Sequence, residues 1–413
     1  MKLLPRYLAL FLFTVLPLYA ADLSDLTWTT TDGEVTITAC DRSATGELII
    51  PDTIDGNPVI SIGEAALANC NNLTSITIPD GVTSIADNAI RECFSLTSVS
   101  IPDSVISIGE RAFTQCFNLT SVTLPDGLIS IGKAAFADCT SLPSISIPES
   151  ITGIEQETFF NCTSLTSITV PDGVTSIGLG AFALCPRLTS ITIPDGVTSI
   201  GESAFLDCRS LTSITIPNEV TSIEAEVFLG CRSLTSITIP DSVTSIGETA
   251  FADCTSLSSI TIPDGVTSIG LEAFADCTSL TSITFQGAAP TVGVEAFLNV
   301  PDEAVARVPS ENLESYRWNG LILSTPDQSD AIADLEARPT KEAYDAVVAD
   351  RDSKIENINQ LQVTVEANNS TISELEKRPT AEQLSTAIAE RDARPTQEAY
   401  DAVVADRDSK IEN

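Results

Sequence analysis

Histidine is absent from the 413 residues. No imidazole is available for a catalytic triad, a zinc site or an acid/base pair, so much enzymology loses its usual residue. Aromatic residues make up only 5% of the chain, which means that the core has to be built mostly from aliphatic side chains. Basic residues are scarce too: 21 Lys and Arg stand against 57 Asp and Glu, giving a formal charge of −36. Nucleic acid is therefore no expected partner, because its phosphates would be repelled. Apart from one run near the N-terminus, no segment approaches the ~20 consecutive apolar residues that a membrane-spanning helix requires.

That one run, Leu8 to Leu18, follows Lys2 and Arg6 and leads to small residues at Ala20 and Ala21. A basic start, a short apolar stretch and a small-residue end are the pattern of a secretory signal peptide over residues 1–20. No cysteine follows at a lipobox position. The mature chain is expected to be soluble and exported, secreted or on the cell surface, without a transmembrane segment.

What is abundant is repetition. Leu73, Leu96, Leu119 and seven further leucines up to Leu280 are spaced by 23 residues, and ten cysteines from Cys70 to Cys277 keep the same step. Residues 188–210 are a typical copy, with apolar residues at Leu188, Ile191, Ile193, Val197, Ile200, Ala204, Phe205 and Cys208. The alternation in Ser190 to Ile193 predicts a short strand, which Pro194 ends because it has no N–H for a ladder. Pro194-Asp-Gly196 is turn chemistry. Val197 and Ile200 then re-enter the core as a second extended piece, and Gly201 to Cys208 are predicted to close the coil in a tight helical or 3₁₀-like arc. One coil cannot bury its own apolar edge, so coils must stack into a solenoid, each adding ~4.8 Å.

The string Leu-x-x-Ile-x-Ile-Pro-x-x-Val-x-x-Ile-Gly-x-x-Ala-Phe-x-x-Cys resembles the BspA-type leucine-rich repeat of secreted or surface-displayed proteins. The resemblance covers about residues 45–302. It implies an α/β solenoid, a right-handed leucine-rich-repeat superhelix with short parallel strands, followed here by an α-helical tail. The flanks resemble that family's caps: a hairpin over Leu26 to Cys40 about Asp32-Gly33, and a closing strand at Ala304 to Pro309 with a short helix from Glu311 to Asn319. The expected organisation is a cap and first coil over 21–72, ten repeats over 73–302, a closing cap over 303–323 and the tail over 324–413.

Eleven cysteines in an exported chain invite a disulfide or metal reading. Cysteines in one slot of stacked coils point the same way ~4.8 Å apart, whereas a bridge needs converging Cβ atoms ~3.8 Å apart. The last coil also places Val300 in the slot, as an apolar position would allow. Reduced, buried, structural thiols are expected, with a Cys40 to Cys70 bridge as the main alternative. The turn aspartates Asp52, Asp80, Asp103, Asp126, Asp172, Asp195, Asp241 and Asp264 stack into a column that Glu149 and Asn218 interrupt. They are read as turn residues rather than as a calcium site. No cofactor, metal or catalytic residue is expected, and the chain is not read as an enzyme.

Two surfaces compete for a binding role. The outward strand positions are nearly all Ser and Thr, and Thr192, Thr215 and Thr238 represent a hydroxyl strip suited to glycan or matrix. The arc carries the variety, with Arg187, Arg209, Arg232, Phe94 and Phe117 as candidate protein-binding residues, because interfaces need aromatic or arginine anchors. The expected function is adhesion or recognition of a protein or cell-surface ligand. Its alternatives are glycan or matrix binding and a purely structural spacer.

After Leu323 the composition shifts to Ala, Glu, Asp, Arg and Gln, and Arg-Pro-Thr recurs at Arg338, Arg378 and Arg394. Threonine after each proline is a usable N-cap. Ile358, Leu361, Val365, Ile372 and Leu375 fit coiled-coil spacing, which would make the chain a parallel homodimer through its tail. The other reading is a solvated, partly helical spacer. The chain stops inside a repeat unit at Asn413, so a truncated sequence with an anchor missing is one expectation.

Overall fold

In the computed structural model the described residues are 20–309 and 321–324. The signal-peptide reading, the short helix at 311–319 and the helical or coiled-coil tail lie outside them. The chain divides into two units, Met1–Glu336 and Ala337–Asn413; only the first contains described residues.

That unit is a β-solenoid of about 12 turns. It opens on an antiparallel hairpin, Leu26–Thr31 with Glu34–Cys40, turning at Asp32-Gly33 as its sequence suggests. Each coil then contributes two short strands to two parallel ladders. In the first ladder Ser213–Thr215 pairs in register with Ser236–Thr238; in the second Ser245–Ile246 pairs with Ser268–Ile269. Between the two, Val197 N–H donates to Pro194 O at 3.1 Å and closes the Pro-Asp-Gly turn. Leu188, Ile191, Ile193, Val197, Ile200, Ala204, Phe205 and Cys208 are all buried in one continuous core. The closing strand Val305–Arg307 pairs with Ser282–Phe285.

The arc corrects the α/β expectation. It is not helical, and the only helix among the described residues is a 3₁₀ turn at Leu23–Asp25. Its amides alternate between two destinations. Ala204, Leu206 and Cys208 donate back to Gly201, Ser203 and Phe205 at 3.0–3.2 Å, closing successive i→i+3 turns. Ser203, Phe205 and Asp207 donate sideways to Ala225, Val227 and Leu229 of the next coil at 2.7–3.0 Å. The arc is thus a third ladder. This alternation requires left-handed backbone twice per coil, at φ 56° for both Ser203 and Asp207, and a left-handed residue cannot propagate a right-handed helix.

Most of those residues are not glycine, and left-handed φ costs an L-residue roughly 1–2 kcal/mol. Thr249 is the least suited, being β-branched at φ 49°. Thr249→Gly is expected to stabilise the protein by about 1 kcal/mol, whereas Thr261→Gly on an exposed strand should cost roughly 0.5–1 kcal/mol. Thermal midpoints of the two variants should move in opposite directions; two decreases would remove strain at Thr249 as a cause.

Both strand ladders are interrupted, and the two gaps in the second fall at identifiable residues. Among the described residues, Ser130–Ile131 does not pair with Gly153–Ile154, nor Ser199–Ile200 with Ser222–Ile223. The coils entering these two gaps carry Glu155 and Glu224 where most coils have glycine. At such glycines the backbones approach closely: a Cβ on Gly109, Gly132 or Gly270 would lie 2.5 Å from a backbone nitrogen of the coil below. Ala86 keeps its bond to Ile62 O at 2.9 Å, so a lone methyl fits against the opening coil, whereas among the described residues the Glu155 and Glu224 amides make no such bond, which points to the longer side chain as the cause of the gaps. At the first of these gaps Pro143 also lacks the N–H with which Thr120 and Thr189 hold the first ladder at 2.9 and 3.1 Å. The core rings are widest apart at the first gap, where the Phe136–Phe159 centroid distance is 5.9 Å.

Candidate binding surfaces

The strand face is a hydroxyl surface, as its composition suggests, but its hydroxyls divide into two kinds. Thr97, Thr120 and Thr189 turn Oγ1 into the ladder and donate to the backbone carbonyl one coil below at 2.9–3.1 Å. Thr175, Thr198 and Thr244 do the same on the second strand at 3.2 Å. Neither stapling role is visible in a pattern that reads these residues only as polar. Thr192, Thr215 and Thr238 are exposed, and among the described residues their hydroxyls make no hydrogen bond within the protein. They form a column along the first ladder, Thr215 directly opposite Thr238.

On the arc, Phe94 and Phe117 occupy the repeat position that follows the cysteine, and so do Arg209 and Arg232. These four candidates therefore stand in one column. The two phenylalanines stack on each other, with centroids 5.2 Å apart and planes 20° from parallel, and each remains 37% exposed. The two arginines lie four and five coils beyond Phe117, with Arg209 at ~20 Å along the rod. Arg209 grips its own coil's Asp207 through two hydrogen bonds of 3.1 Å. Arg232 reaches Asp253 of the next coil at 3.0 and 2.6 Å. Their positive charge is locally compensated, and the Asp207 carboxylate raises the Arg209 pKa still further. Arg187 sits one residue later in its repeat, exposed, outside the column that joins the other four.

The turn aspartates from Asp52 to Asp264 are exposed on the corner between the two strand ladders. The serines that replace the neighbouring turn glycine do chemical work there: Ser104 and Ser242 each donate to a carbonyl of the preceding coil at 2.6 Å. Those turn glycines have ordinary negative φ, so serine fits without strain.

The ten ladder cysteines are buried. Nine of them, Cys93 to Cys277, donate S–H to a backbone carbonyl of the preceding coil at 3.1–3.3 Å, Cys208 for example to Phe182. Burial pushes Cys116, Cys185 and Cys277 up to about 12 and raises the other six of these nine well above the ordinary thiol range. These are inert structural groups rather than reactive ones.

A core assembled from one residue of each type per coil, wrapped by a hydroxyl strand face and a variable arc, defines a leucine-rich-repeat solenoid. The chain belongs to the BspA-type leucine-rich repeat proteins: that repeat region matches residues 60–189 and 175–303, in six copies. A solved leucine-rich cell surface protein from Faecalibacterium prausnitzii is similar at 30% identity, over 75% of this chain and 95% of its own, with a TM-score of 0.50. A leucine-rich repeat protein from Bacteroides ovatus is 27% identical over 73% of this chain and 98% of its own, TM-score 0.40. One from T. pallidum is 28% identical over 58% and 91%, TM-score 0.36. No curated protein sequence matches the chain significantly. No catalytic function is indicated by the family, and among the described residues no helix is long and apolar enough to cross a membrane.

Proposed function

We propose that this chain is an exported, surface-displayed recognition protein whose arc binds a protein partner. The observation that carries the reading is the exposed Phe94–Phe117 stack, which shares one column with the Arg209 and Arg232 forks. Two half-exposed rings held rigidly by the solenoid offer apolar area at little entropic cost, the property of an interface anchor. The arginines, already paired with Asp207 and Asp253, are suited to the polar rim rather than the centre. A partner presenting an aliphatic or aromatic side chain to the rings, with polar groups ~20 Å away, fits this column. Surface display is supported by the signal-like residues 1–20 and by the cell-surface relative.

A glycan or matrix reading has its own support in the outward hydroxyls of Thr192, Thr215 and Thr238, which no group among the described residues engages. The two readings separate by mutation. A partner captured by the full chain from its native surroundings is titrated against three variants. Phe94→Ser with Phe117→Ser is expected to weaken binding more than tenfold, since interface anchors are worth at least ~2 kcal/mol. Charge reversal of Arg187, Arg209 and Arg232 should weaken it less and make it more salt-dependent, and Thr192, Thr215 and Thr238 to valine should leave it nearly unchanged. A loss confined to the threonine variant would move the site to the strand face.

A further inference from the structure

One cysteine of the ladder does not behave as the other nine. Where Cys93 to Cys277 hold a carbonyl at 3.1–3.3 Å, Cys70 has only long contacts, 3.9 Å to Cys40 O and 3.8 Å to Asp41 O. The difference follows from what lies below it. The coil beneath Cys70 is not a full repeat but the end of the opening hairpin, whose last strand residue is Cys40. Cys40 Sγ lies 3.6 Å and Cys70 Sγ 3.8 Å from Asp41 O, so both sulfurs approach the same carbonyl oxygen. The geometric objection to bridges within the ladder does not apply to this pair. Ladder cysteines leave their coils in parallel, whereas Cys40 comes off an antiparallel hairpin and meets Cys70 from a different element. Cys40 is partly accessible and Cys70 is buried.

We propose that Cys40 and Cys70 are an oxidation site, closing to a single disulfide that staples the N-terminal hairpin to the first coil when the chain meets a disulfide oxidant outside the reducing cytosol. The oxidant is of the thiol–disulfide exchange class, either an oxidoreductase or a small-molecule disulfide RS–SR. The Cys40 thiolate attacks one oxidant sulfur, forming a mixed disulfide and releasing one RS⁻. The Cys70 thiolate then attacks the Cys40 sulfur and expels the second RS⁻. One S–S bond is made for one broken, and the two thiol protons leave to solvent or to the released thiolates. While both are thiols, their mutual interaction, with burial, raises the Cys40 pKa, and the same interaction lowers that of Cys70; the order of attack is set by access, since Cys40 is the one that a soluble oxidant can reach. The other nine thiols are held in the core with raised pKa values and take no part.

The purpose of such a staple is set by its place. A solenoid frays from its ends, because a terminal coil has only one neighbour, and the bond would close the loop between the hairpin and the first arc against that fraying. The test uses the full chain, purified under reduction and then incubated with oxidised glutathione. Alkylation in denaturant followed by mass spectrometry should find two of the eleven thiols blocked, and peptide mapping should join the Cys40 and Cys70 peptides. Cys40→Ser, at a partly exposed position, should fold normally and leave Cys70 free. Limited proteolysis in the hairpin should be several-fold slower for the oxidised chain than for the reduced one, with no such difference in Cys40→Ser. Eleven free thiols after incubation, a stable glutathione adduct on Cys40, or a bridge between other ladder cysteines would each overturn the proposal.

Discussion

Raising the pH from about 8 to about 10 is expected to unfold the solenoid, and the cause is its column of thiols. A thiol whose folded pKa lies above its unfolded value stabilises the fold fully below the unfolded pKa and loses that contribution as pH rises toward the folded one. Cys116, Cys185 and Cys277 are held at about 12 in the fold, against ~8.5 for an unperturbed thiol. Between these values the unfolded chain has released protons that the folded chain retains. Stability therefore falls by about 1.4 kcal/mol per pH unit for each such thiol. Nine buried ladder thiols with the same cause of shift would together remove on the order of 10 kcal/mol within one unit, which is the whole net stability of an ordinary domain. Circular dichroism against pH should show a steep, salt-insensitive transition. Replacing Cys139, Cys162 and Cys185 by valine should move that transition upward, since Val300 already occupies the equivalent position and the Phe113, Phe136 and Phe159 carbonyls that lose a thiol keep their backbone N–H partners at 3.2–3.4 Å. A solenoid intact at about pH 11 would show that these thiols ionise in place without structural cost.

The same slot shows what sequence alone could deliver. Position in the repeat located the core: the leucine, isoleucine, alanine-phenylalanine and cysteine positions are all inside, and the hairpin at Asp32-Gly33 and the proline-led turns are where composition places them. Periodicity reports which side chains point inward; it is silent on where amides go. Helical and alternating-ladder arcs bury the same residues, so the arc was misread. A signal was present, because Asn69, Asp138, Asn161, Asp207 and Gly230 at one position are the residues that tolerate left-handed backbone. Glu92, Gln115 and Leu184 at that position obscured it. The candidate column was legible in part: register alone puts Phe94, Phe117, Arg209 and Arg232 at one repeat position, but the ring stacking and the pairing of each arginine with an aspartate depend on side-chain torsions that no pattern encodes. Likewise Glu155 and Glu224 are visible as departures from glycine, while their effect depends on how closely two backbones pass.

That effect can be imposed where nature has not. Gly270→Glu is expected to open the second ladder between Ser245–Ile246 and Ser268–Ile269, as Glu155 and Glu224 do at their own junctions. The Cβ would stand 2.5 Å from Glu248 N, and the rest of the glutamate side chain, which Ala86 lacks, is expected to stop the strands from adjusting while they stay paired. Parting breaks the Gly270 N–H bond to Ile246 O at 2.8 Å and the Thr267 N–H bond to Thr244 O at 2.9 Å. The Thr267 Oγ1 bond to Thr244 O at 3.1 Å goes with them. At roughly 1 kcal/mol each, the loss is about 3 kcal/mol. The arc should survive, because Phe251 N–H still holds Ala273 O at 2.8 Å, and the core stack between Phe251 and Phe274 should widen from 5.2 Å toward the spacing found at the existing gaps. Gly265→Ser, one turn earlier in the same coil, is the matched control and should be nearly neutral, since Ser104 occupies that position in a coil whose strands are paired on both sides in both ladders. In reverse, Glu224→Gly should close a gap and stabilise. Hydrogen exchange at Thr267 and Gly270, with urea midpoints for all three variants, reads the result. Protected amides and an unchanged midpoint in Gly270→Glu would mean that the gaps at Glu155 and Glu224 have another origin.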